Sequence, residues 1–132
     1  MLKEIRYIRQ IEGEPRRRWF ENEYFDLIVW FDHDGGILEF ELCYDKTKNQ
    51  RALRWEGPER YSHFRVDDGE HHAGRGKSSP ILLRDPRFDR EKVLRRFELE
   101  SAGLEHGIAR LVQEKIAQCP LRRSAKRARR VK

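Results

Sequence analysis

The chain has 132 residues, with 29 Lys or Arg against 23 Asp or Glu, for a formal net charge of +6, and it is 37% hydrophobic and 39% charged. Seven of the basic residues and no acid fall in the last twelve positions, so residues 1–120 hold 22 bases and 23 acids and are close to neutral. These figures exclude several classes. No run approaches the roughly 20 apolar residues of a membrane span, two cysteines without repeated spacing make no disulfide framework or zinc knuckle, and fourteen aromatics gathered in short segments argue against disorder.

In chain order, residues 3–11 alternate well enough for a strand, and RRRWF at 16–20 reads as a further extended piece. The segment YFDLIVWFDHDGGILEFELCYD, 24–45, is the clearest signal: two β-rich runs flank an Asp-Gly-Gly turn and predict a hairpin. Placing Asp34 and Gly35 at the turn centre sets Phe31 opposite Leu38, Val29 opposite Phe40, Leu27 opposite Leu42 and Phe25 opposite Tyr44. Continuing past a turn at 46–49 sets Leu42 opposite Leu53 and Phe40 opposite Trp55. Beyond Gly57 and Pro58 the apolar alternation sets Phe64 opposite Leu53. Residues 67–80, DDGEHHAGRGKSSP, lack any aliphatic side chain larger than alanine and read as a flexible loop.

Helical signals follow a short apolar run at 81–83. Asp89 is the expected N-cap, with Phe88 and Val93 as a hydrophobic staple, and Val93, Leu94 and Phe97 form one stripe. A second stripe runs Leu104, Ile108, Leu111, Val112 and Ile116 before Pro120. The expected fold is α+β: an antiparallel β-meander of about four to six strands, two C-terminal helices packed on one face, and a basic tail. Residues 1–120 form the expected single domain, and 121–132 a disordered tail.

This register predicts a polar face away from the helices, with Trp30, Arg54, His63 and Arg65 as candidate binding residues, the last two suited to an anionic group. In the tail, Arg122, Arg123, Lys126, Arg127, Arg129 and Arg130 have the composition of an electrostatic arm for nucleic acid or an acidic protein. The expectation is therefore a cytoplasmic binding module contacting nucleic acid or a nucleoprotein partner, with a homodimer through the sheet as a further possibility. No membrane, cofactor or metal is expected.

Two alternatives stand beside it. The first is a metal-assisted or acid-base hydrolase using His63, Asp67, Asp68 and Glu70, with Asp68, Glu70, His71 and His72 as the residues that would hold a metal. Spacing restrains this reading, because His63 and Asp67 on one extended strand lie about 13 Å apart. No serine sits in a nucleophile-elbow pattern, and the glycines at 69, 74 and 76 lack the lysine-hydroxyl ending of a phosphate loop. The second is a protein-interaction module such as an inhibitor, antitoxin or assembly factor.

Overall fold

The computed structural model describes residues 1–67 and 81–122. Among these, seven strands form one antiparallel sheet in strict chain order: β1 (Lys3–Glu4), β2 (Arg16–Glu21), β3 (Phe25–Phe31), β4 (Ile37–Tyr44), β5 (Arg51–Trp55), β6 (Tyr61–Asp67) and β7 (Ile81–Arg84). Helices α1 (Arg90–Glu100) and α2 (His106–Gln118) follow. The expected α+β meander with two C-terminal helices is present. The sheet is wider than four to six strands because Lys3–Glu4 and Ile81–Arg84 pair onto its two edges. The strand expected over 3–11 is confined to Lys3–Glu4, since Tyr7 takes a positive φ of 61° that no strand accommodates.

The central hairpin closes on a side chain. Asp32 Oδ1 accepts from the N–H groups of Asp34 (2.9 Å) and Gly36 (2.8 Å), and Gly35 supplies the positive φ. A bulge between Trp30 and Phe31 then sets Phe31 opposite Ile37 rather than Leu38, while Val29–Phe40, Leu27–Leu42 and Phe25–Tyr44 pair as the alternation predicts. The next hairpin keeps the expected Leu42–Leu53 and Phe40–Trp55 pairs.

The helices bury one face. Phe25, Leu27, Val29, Phe40, Leu42 and Leu53 are fully enclosed with Val93 and Phe97 of α1 and Ile108, Val112 and Ile116 of α2. Phe25 meets Phe97 edge to face at 5.7 Å, and the Tyr61 hydroxyl donates to the Lys115 carbonyl at 2.7 Å, tying β6 to α2. Asp89 caps α1 by accepting from the Lys92 N–H, and the predicted Phe88 and Val93 staple is buried. No helix among the described residues is long and apolar enough to cross a membrane.

The third hairpin departs from expectation, with consequences for the site. Leu53 faces His63, not Phe64, so every side chain of β6 lies on the opposite face from the one the alternation assigned. The turn at 56–60 selects this register: the Glu56 N–H donates to the Arg60 carbonyl, the Trp55 indole donates to the Pro58 carbonyl, and Tyr61 pairs directly with Trp55. Gly57 has φ 55°, and a Cβ there would meet the Trp55 ring at 3.3 Å. The register exchanges the burial of Phe64 for that of Tyr61 and His63, whose polar atoms all find partners inside.

Candidate functional site

Three cross-strand rows build the face that the helices leave open. One runs Trp19, Ile28, Glu41, Arg54, Ser62; a second Arg17, Trp30, Glu39; a third Glu21, Asp26, Cys43, Ala52, Phe64, Arg84. Ala52 is buried at 3% exposure, but Trp19, Ile28, Trp30 and Phe64 lie outside the core cluster and are large, apolar and only half-buried. Adjacent strand positions explain Trp19: with Phe20 pointing inward, Trp19 must point outward.

Charge on this face is organised around Arg54. Its guanidinium lies 3.3 Å from Glu39, 4.0 Å from Glu41 and 3.4 Å from Glu56, and 5.8 Å from the centre of the Trp30 ring. The Glu56 contact is ionic only, because Arg54 Nε is buried and not aligned for a hydrogen bond to any acceptor. Lys46 pairs with Asp26 at 3.2 Å. Cys43 is no nucleophile here: burial first, then the Glu41 and Asp26 carboxylates, pushes its thiol up to about 12 and keeps it protonated.

Of the predicted binding residues, Trp30 and Arg54 stand together on the open face. His63 and Arg65 do not join them, because the β5–β6 register turns both toward the helix side. Arg65 is exposed there, and His63 is 1% exposed. His63 Nδ1 lies 3.0 Å from the Asp85 backbone carbonyl, which can only accept, so Nδ1 carries the proton and Nε2 accepts from the Tyr44 hydroxyl at 2.7 Å. Burial lowers the His63 pKa and keeps the ring neutral, and burial likewise raises that of Tyr44. The pair holds its protons in place at neutral pH and has no activated oxygen.

Asp85, 3% exposed, adds to this cluster. Burial alone would raise its pKa, but the Arg87 N–H at 3.1 Å and the Arg51 guanidinium at 3.1 Å outweigh that and lower it. Tyr44, Arg51, Asp85, Arg87 and Lys92 border a cleft of ≈ 250 Å³. A larger groove, ≈ 1260 Å³, runs past Arg16, Phe31 and Leu38. The arginine at its side, Arg18, is held by Glu4 and Glu105, each at 2.8 Å.

Among the described residues no group of three or more His, Cys, Asp or Glu is gathered to hold a metal. Asp67 ends β6. Asp68, Glu70, His71 and His72, with Arg123, Lys126, Arg127, Arg129 and Arg130, lie outside the described residues. Arg122 is exposed and bridges to Arg87, its carbonyl accepting from the Phe88 N–H at 2.6 Å. Sequence reasoning missed Trp19 and Phe64 on the open face and the Tyr44, Arg51 and Asp85 partners of His63. The Trp19–Phe20 neighbourhood was the available signal for the first; nothing local marks the others. No protein family, curated protein or solved structure matches this chain.

Proposed function

We propose that this chain is a protein-interaction module whose recognition surface is the open face of the sheet. The observation that carries this reading is the set Trp19, Ile28, Trp30 and Phe64, large apolar side chains left outside the core on one continuous face. Carboxylates separate them: Glu21, Asp26, Glu39 and Glu41 outnumber Arg17, Arg54 and Arg84 on the three rows. A phosphate backbone laid across the face would meet net repulsion, whereas a protein surface offering apolar side chains and a few cations matches it. The basic segment 121–132 acts as a separate electrostatic arm for nucleic acid or an acidic partner, contributing sequence-independent affinity.

The test compares complexes formed in cell extract by the tagged full chain, the Trp30→Ser/Phe64→Ser variant and a Leu99→Ser control on the exposed side of α1. The open-face variant loses a stoichiometric complex that the wild type and the control retain, while all three keep the same far-UV circular dichroism. Identical complexes from all three would overturn the reading. In a chain lacking 121–132, a complex that persists with weaker salt dependence separates the arm from the face.

A further inference from the structure

Two charged pairs of the open face, Glu21 with Arg84 and Glu41 with Arg54, are antisymmetric about the line between β4 and β5, while Arg17 and Asp26 on the β2–β3 side have no opposite charge at the matching position. In the six-residue row, Glu21 and Asp26 lie on the β2–β3 side, Arg84 lies on β7, and Cys43, Ala52 and Phe64 separate them. In the neighbouring row the acid Glu41 is on β4 and the base Arg54 on β5, directly opposite each other. A rotation that exchanges the two members of each such pair makes this part of the surface complementary to itself.

We propose that the partner of this face is a second copy of the same chain, the two open faces stacked across a two-fold axis that runs parallel to the strands between β4 and β5. The inference rests on the protein-interaction reading and names its partner. Such an axis lays β2 of one copy over β7 of the other, β3 over β6 and β4 over β5. Arg84 then meets the partner's Glu21, Arg54 meets the partner's Glu41, and Cys43 meets the partner's Ala52. Small side chains at that centre let two sheets approach to the roughly 10 Å of face-to-face packing. A two-fold across the strands along the Glu41–Arg54 row would instead set Glu41 on Glu41 and Arg54 on Arg54, so charge favours the first axis over that one. The axis also brings Glu39 toward the partner's Glu56, and the Arg54 of each copy, 3.3 Å and 3.4 Å from its own Glu39 and Glu56, supplies the counter-charge. The apolar half-buried residues Ile28, Trp30 and Phe64 lose water in the contact.

Glu21 and Arg84 lie on the same face toward opposite edges of the sheet, five strands apart in pairing order, so they interact only between copies. Sedimentation velocity on the purified full chain therefore tests the geometry. The wild type sediments as a dimer. Glu21→Arg and Arg84→Glu each weaken the dimer at least about tenfold by setting like charges together at both ends of the contact. An equimolar mixture of the two variants recovers wild-type association, because every Glu–Arg contact is restored in the mixed dimer. Far-UV circular dichroism reads the fold of each variant, and Glu21→Gln with Arg84→Gln, which only neutralise the pair, provide a milder series with a smaller weakening. A wild type that stays monomeric to about 1 mM overturns the homodimer; the extract comparison above then decides the interaction reading separately. A dimer that ignores all four substitutions places its contact elsewhere, and weakening without recovery on mixing overturns the axis.

Discussion

The two faces of the sheet are made by the same strands, one residue out of phase, and they differ in what closes them. Leu27, Val29, Phe40, Leu42 and Leu53 are fully enclosed by two helices, while their sequence neighbours Ile28, Trp30, Glu41, Cys43 and Arg54 stay half-buried with nothing of the described chain over them. On the covered face a polar side chain enters only when its hydrogen bonds are complete, as for His63 between Tyr44 and Asp85. On the open face, charges cluster around Arg54 and aromatic rings lie beside them. The contrast places cohesion on one face and leaves the other for the recognition we propose, although a single run such as FDLIVWF serves both.

Substitutions should divide along the same line. The largest effect belongs to Phe40→Ala, which removes a fully buried ring between Val29, Trp55 and the helices and should cost about 3–5 kcal/mol in urea unfolding. A loss below about 1 kcal/mol would mean that the helices do not hold this face as described.

The second effect concerns the polar residue on the covered face. His63→Ala leaves the Tyr44 hydroxyl and the Asp85 carbonyl without their partner and opens a cavity, for about 2–4 kcal/mol. The same burial makes stability depend on pH. The folded-state pKa of His63 lies below its unfolded value near 6.5. The unfolded chain therefore binds more protons as the pH drops, and the stability that His63 contributes above about 6.5 is lost as pH falls through the lower folded value. Asp85, lowered as well, acts only near and below the usual carboxylate range, so the two windows separate. Urea midpoints measured from pH 8 to pH 5 should fall for the wild type and flatten for His63→Gln. A wild-type curve with no acid-side loss would contradict a neutral, enclosed imidazole.

Much of this division was readable beforehand. Apolar alternation through 24–55 sets the pairs Val29–Phe40, Leu27–Leu42 and Leu42–Leu53, and cap chemistry places α1 at Asp89, because each of these rests on local geometry. At β6 the pattern YSHFRV permits two registers, and alternation alone favours burying Phe64. Tyr61 and His63 won because their partners, the Lys115 carbonyl, the Tyr44 hydroxyl and the Asp85 carbonyl, arrive from elements 54, 19 and 22 residues away. A side chain's cost of burial depends on partners that no local window contains. This one-residue difference in register turns His63 and Arg65 to the helix side and brings Phe64 out to the face of Trp30.

The smallest expected change in stability is therefore the most informative about function. Trp30 is half-buried on the open face, in contact range of Arg54 and outside the core, so Trp30→Ser should shift thermal stability of the dilute chain by no more than about 1 kcal/mol. Its effect on association should be much larger, since a large aromatic buried in a contact contributes about 2 kcal/mol or more, roughly thirtyfold in Kd. Calorimetry at low concentration and sedimentation at high concentration measure the two quantities on the same sample. A Trp30→Ser chain that unfolds like a core variant would make the open face a second core and remove the distinction between the faces. One that folds normally and no longer associates leaves cohesion on Phe40's side of the sheet and recognition on Trp30's.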